Sequence, residues 1–327
     1  MEMDVSLTYT SGTLVEEALA LGYQDVSRRL IYDWSNRGLL DQPSLYSPGR
    51  RGRPDAFPPS QHELFLTLLE KRKSRTKHIL GLYNVPVFVW LWWGDDYIPL
   101  RQVRRAMNTW GRSCLSPSLV ADRRSAREFL RQMNLPQYAR GRKALKEALE
   151  NVTLEICAGR HPDQVDWHDL ETKLCKVWNK EGTGEPRGPV DAPVTPNTAI
   201  SLLRVRYTAL VSLEQYDDQL FEWARWFYRQ TSSDYGRHVR DLAKDPEFGH
   251  LHRAAATAEH LVNHACVDLL TTLGTAPFIP WYGTLWDPAL WKNRKLRLTR
   301  TGEVVTEAGI IVSVQETGPA IVSRIMS

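Results

Sequence analysis

Val26-Ser27-Arg28-Arg29-Leu30-Ile31-Tyr32-Asp33-Trp34-Ser35-Asn36-Arg37-Gly38-Leu39-Leu40 is the stretch from which the fold of this chain is read. Val26, Leu30, Ile31 and Trp34 recur at the spacing of one helix face, and Gly38 suits the left-handed residue that commonly stops a helix. Upstream, Thr13-Leu14-Val15-Glu16 has the spacing of a capping box, which predicts a short helix ending near Gly22. Two short helices joined by a tight turn form a helix-turn-helix, whose second helix can lie in a DNA major groove. With the apolar stripe turned inward, the second helix (27–37) turns Ser27, Arg28, Arg29, Tyr32, Asp33 and Asn36 outward, with Arg37 in its last turn. Arginine can contact guanine or phosphate, serine and tyrosine can reach phosphate, and asparagine can read adenine.

Working outward, Tyr46-Ser47-Pro48-Gly49-Arg50-Arg51-Gly52-Arg53-Pro54 is a turn-rich segment with Arg50, Arg51 and Arg53 at its tip. An Arg-bearing, glycine-flanked tip is what a winged helix needs to enter a minor groove or to straddle phosphates. Arg51-Gly52-Arg53-Pro54 also has the short core of an AT-hook. A helix follows over about Ser60 to Lys73. Ile79 to Tyr97 is apolar and aromatic and reads as a buried strand or helix end.

The 26–40 stretch resembles the recognition helix of the MerR family, whose pattern runs V-S-x-x-T-I-R-Y-Y-x-x-x-G-L-L. The Val26-Ser27 start, Ile31, the aromatic Trp34 and the Gly38-Leu39-Leu40 exit match in register. Ile98-Pro99-Leu100-Arg101-Gln102-Val103-Arg104-Arg105-Ala106-Met107 is similar to a later helix of that family, and residues 75–97 exceed its usual connection. The family's R-Y-Y is Tyr32-Asp33-Trp34 here, its wing motif reduces to Gly52-Arg53 with Phe57 beyond, and no long coiled-coil helix or cysteine cluster follows. The resemblance covers at most the first third of the chain. It implies a winged helix-turn-helix that binds double-stranded DNA in a transcriptional regulator, with a homodimer as the expected assembly. Excisionase-type proteins, which bend DNA for a recombinase, use similar winged helices and form the alternative, although 327 residues is long for one.

Composition agrees with a globular chain: 42% hydrophobic, 10% aromatic and 24% charged, with a net charge of only +4. That charge is unevenly placed. Residues 1–146 hold 23 Lys and Arg against 14 Asp and Glu, a balance of +9, whereas 147–327 hold 19 against 24, a balance of −5. A basic front and an acidic back indicate that only one half meets a polyanion. Cys114, Cys157, Cys175 and Cys266 form no close pair and read as reduced thiols. The N-terminus lacks the pattern of a secretory signal, and the longest apolar run, Val85 to Trp93, is too short to cross a bilayer. A cytoplasmic, nucleoid-associated protein is the expectation.

The rest of the chain reads as basic amphipathic helices over Leu100–Trp110, Ser118–Met133 and Tyr138–Glu150, a linker or long loop within Asn179–Asn197, and long helical stretches over Ala199–Gln230 and His250–Leu273. A tail of short strands begins after Lys295. The expected fold is therefore mainly α: an N-terminal winged helix-turn-helix (1–75), a basic helical region (76–180), a linker (181–198), and a helical domain with a short β tail (199–327). Arg101–Arg105 and Arg123–Arg131 read first as solvated basic faces and second as phosphate contacts. His250, His252, His260, His264 and Cys266 form a histidine-rich patch, but Glu259 precedes His260, so the H-E-x-x-H order of a zinc hydrolase is absent and no metal site is expected. The series Tyr207, Tyr216, Phe221, Trp223, Trp226, Phe227 and Tyr228 reads as core, with a ligand pocket or enzymatic module near Trp223, Trp226 or Trp281 as the alternative. Glu214, Asp217 and Asp218 read as surface acids. No phosphate-binding glycine loop, nucleophile elbow or Cys/His dyad is present, so no catalytic residue and no cofactor is expected.

Overall fold

The computed structural model describes residues 8–44, 56–74, 79–115, 143–180, 196–229, 244, 258–275, 297–298, 303–305 and 311–313, and among these the chain is mainly helical. Helix α1 spans Ser11–Ala20 and begins one turn earlier than expected. Thr10 is its cap: the Thr13 amide donates to Thr10 Oγ1 at 3.1 Å, and the Thr10 amide donates to Thr13 Oγ1 at 2.8 Å. The capping box is therefore Thr10 with Thr13 rather than Thr13 with Glu16, because a threonine at the third helical position can return the bond as well as a glutamate can. At the other end the Tyr23 amide reaches Ala18 O and the Gly22 amide reaches Leu19 O, both at 3.0 Å, a paired closure that turns the chain sharply.

Helix α2 is Arg28–Arg37, capped by Ser27, whose Oγ accepts from the Leu30 amide at 3.3 Å. Ile31 and Trp34 are buried as the periodicity required, and Val26 with them, while Leu30 is only half-buried and Ser35 takes an interior place. Gly38 stops the helix at φ +81°, with the Leu39 amide bonded to Trp34 O at 2.9 Å. Helix α3 runs Pro59–Ser74 and starts on a proline, which lacks the amide that a first-turn residue leaves unpaired anyway. The apolar stretch after it is helical, not a strand: a 3-10 turn over Ile79–Leu82, then α4 over Asn84–Trp93. Pro86 falls in the first turn of α4, where it is tolerated, and a helix apolar all round is one that is buried all round. Helix α5 is Leu100–Cys114.

Two compact units divide the chain: Met1–Thr109 together with Thr284–Ser327, and Trp110–Gly283. The core of the first includes Leu14, Ile31, Trp34, Leu40, Phe57, Phe65, Trp90 and Met107, with Trp34 meeting Phe65 edge-on at 5.9 Å.

The second unit contains α6 (Lys143–Cys157), α7 (His168–Lys180), α8 (Pro196–Ser212), α9 (218–229) and α10 (Ala258–Thr275). The expected linker overlaps this unit: 181–195 lie outside the described residues, and its last residues open α8, again with proline at the first position. The long helical stretch from Ala199 is broken after Ser212 by a 3-10 turn, and Asp217 restarts it by accepting the Leu220 amide at 2.8 Å. Asp217 is thus an exposed acid, as expected, that also caps a helix. Gly274 lets α10 approach α8 closely, since a Cβ there would lie 2.7 Å from Val205 O. Thr153 and Tyr207 share a buried hydroxyl hydrogen bond of 2.7 Å between α6 and α8.

Candidate nucleic-acid interface

Helix α2 carries most of the residues singled out from the sequence. Ser27, Arg28, Arg29 and Asn36 are exposed, while Tyr32, Asp33 and Arg37 are half-buried. Ser27 uses one lone pair of its oxygen as the helix cap, which leaves its hydroxyl hydrogen available to donate to a further partner. Arg37 is less available than its neighbours: its Nε donates to Asp33 Oδ1 at 2.9 Å, one turn back on the same helix. Arg28, Arg29 and Asn36 make no hydrogen bond or ion pair among the described residues. All three are exposed, with the Arg28 guanidinium lying beside Gly12 of α1.

Arg50, Arg51 and Arg53 lie outside the described residues, but the ends of their segment are fixed. Ser44 and Ala56 form an antiparallel bridge with both amides bonded at 3.0 Å, so the chain leaves and returns at adjacent points. Phe57 pairs in turn with Tyr9, at 2.9 and 2.7 Å, which ties the base of that segment to the residue preceding the α1 cap. Two antiparallel bridges thus link Tyr9, Ser44 and the Ala56–Phe57 pair.

The residues that hold α2 in place were not apparent from the sequence. Helix α5 crosses so near Gly38 that a Cβ there would fall on the Ala106 amide nitrogen and stand 2.8 Å from Gln102 O. Gln102 donates from Nε2 to Leu39 O at 3.1 Å, and its Oε1 accepts from Gln61 Nε2 at 2.9 Å; Gln61 Oε1 accepts the Asp41 amide at 2.8 Å. This buried relay satisfies the backbone as it leaves α2 and joins it to α3 and α5. Arg101 grips Asp41 with two nitrogens, and Arg105 donates to Ser35 O at 3.2 Å. Arg101, which remains largely exposed, and Arg105 thus also help to hold α2 and the residues that follow it. Arg123–Arg131 lie outside the described residues.

Elsewhere, Glu214 is paired with Arg112 at 2.6 Å, and that guanidinium holds its carboxyl below the usual range. His250 and His252 lie outside the described residues, and among those described no group of three or more His, Cys, Asp or Glu could hold a metal. Tyr207, Phe221, Trp223 and Tyr228 are buried, and Trp223 stacks on Phe227 at 5.2 Å; Trp281 lies outside the described residues. No helix of the described residues is long and apolar enough to cross a membrane. Compared with known proteins, the chain matches no family model, no curated protein and no solved structure.

Proposed function

We propose that the first unit is a MerR-like winged helix-turn-helix that binds double-stranded DNA, and that the protein is a cytoplasmic, nucleoid-associated transcriptional regulator. In this reading α2 enters the major groove, with Ser27, Arg28, Arg29, Tyr32 and Asn36 toward the DNA and Arg37 at the groove edge, while Arg50, Arg51 and Arg53 meet the minor groove or phosphates. The observation that supports it is the conjunction of α1, a tight turn and α2, whose residues Arg28, Arg29 and Asn36 are exposed, with the Ser44–Ala56 bridge that closes the base of the segment carrying Arg50, Arg51 and Arg53 in the sequence. An ordinary helical hairpin needs no such neighbour. The second unit and the C-terminal tail serve dimerisation, effector sensing or a protein partner, and a homodimer reads two half-sites.

Selection of duplexes from a random pool by the purified full chain, followed by sequencing, tests the reading. Enrichment of a common motif, palindromic if the protein is a dimer, with an affinity that falls steeply with salt, supports it. A pool that stays unenriched at low salt rejects it.

A further inference from the structure

Gly12 stands in the first turn of α1, buried, at a position where glycine is a poor helix former and nothing in the local backbone calls for it. The space that a side chain would fill is taken by Arg28. A Cβ on Gly12 would lie 2.8 Å from Arg28 Nη2 and 3.6 Å from its Cζ, so the guanidinium of the first α2 residue lies back against the start of α1. Arg28 is otherwise exposed. An arginine folded back in this way is drawn off the outward face of α2, where Arg29 and Asn36 stand, and loses the reach that a bidentate base contact requires.

We propose that Gly12 is a positioning residue for DNA contact: its bare Cα provides the berth that holds the Arg28 guanidinium beside α1, where it meets a backbone phosphate rather than a base edge. The inference rests on the DNA-binding reading above and adds a division of labour, with Arg28 fixing register on the backbone and Arg29 and Asn36 left to read bases. The group displaced by a methyl at position 12 is the far end of a flexible side chain, so the fold itself has little to lose. Alanine is also the better helix former. Gly12→Ala therefore separates stability from binding.

The test uses the full-length wild type, Gly12→Ala, Arg28→Ala and the double variant, with melting temperatures and with fluorescence anisotropy on the selected duplex and on an unrelated duplex across a salt series. Each single variant is expected to bind both duplexes about tenfold more weakly, with the log–log salt slope reduced by about 0.9 for the loss of one phosphate contact. The melting temperature of Gly12→Ala should equal or exceed that of the wild type, and the double variant should bind no worse than Arg28→Ala alone. Wild-type binding with Gly12→Ala unaffected overturns this inference and leaves the DNA-binding reading standing, whereas absence of wild-type binding overturns both. Losses confined to the selected duplex overturn the phosphate assignment. A lowered melting temperature that persists in the double variant shows that the space serves packing, and overturns the positioning role.

Discussion

At Gly38 two constraints coincide that usually occur apart. The backbone is left-handed at φ +81°, and the α5 main chain occupies the space where a Cβ would go. Gly22 shares the first constraint, at φ +89°, but nothing lies within 4 Å of its missing Cβ. The pair makes a controlled comparison. Gly22→Ala should cost only the left-handed penalty, about 1–2 kcal/mol, whereas Gly38→Ala adds overpacking against a rigid helix and should cost about 2–4 kcal/mol. Urea titrations of the two variants check the order, and equal losses would mean that α5 yields at that point. The sequence made Gly38 legible as a helix stop, since glycine after Asn36-Arg37 is a familiar ending. Its second role was hidden, because the partner helix begins over sixty residues later and close approach leaves no local mark.

Between elements, the polar relay from Asp41 through Gln61 and Gln102 to Leu39 sets α2 against α3 and α5. Gln102→Leu would leave Leu39 O and Gln61 Nε2 buried and unpaired, at about 1–3 kcal/mol for each orphaned group. Arg101→Ala removes a pair whose arginine is largely exposed, and should change stability by no more than about 1 kcal/mol. A denaturation series on both variants distinguishes a buried relay from a surface clasp. The helices themselves were readable where one face was apolar and the other polar, as in α2, and where proline or serine marked a start. The stretch that became α4 was ambiguous for the opposite reason: with almost every position from Asn84 to Trp93 buried, no polar face remained to reveal the period. Glutamines such as Gln61 and Gln102 carry no periodic or motif signal, so their pairing appears only once α3 and α5 are packed. In the second unit, burial raises the Asp268 carboxyl on α10 from 3.8 to about 7, with Arg206 pulling the other way. A carboxyl raised in the folded state contributes stability that is complete below its unfolded value near 3.8 and is lost as pH rises through about 7. Asp268→Asn should therefore melt increasingly above the wild type from pH 4 to pH 7, with the gap levelling off beyond. A gap constant across that range would show that the carboxyl ionises normally.

For the whole molecule, the uneven charge distribution predicts where DNA affinity depends on salt. If the reading of the first unit holds, each phosphate met by an arginine adds about −0.9 to the slope of log affinity against log salt. Four such contacts would lower affinity by about two orders of magnitude for a fourfold rise in salt. Combined alanine substitution of Arg50, Arg51 and Arg53 should make the slope shallower by up to about 2.7 if all three meet phosphate, and by less if any of them enters the minor groove to sense its shape. Lys173 gives the matching control in the acidic half: it is bonded to Asp169 at 2.7 Å on α7, and its removal should leave the slope unchanged. Anisotropy titrations of the three proteins over one salt series decide the matter. Equal slopes for the wild type and the triple variant would remove the arginine-rich segment from the interface. A shallower slope for Lys173→Ala would instead bring the acidic half, residues 147–327, to the DNA, contrary to its balance of −5, and would mean that local basic surface there outweighs the overall balance.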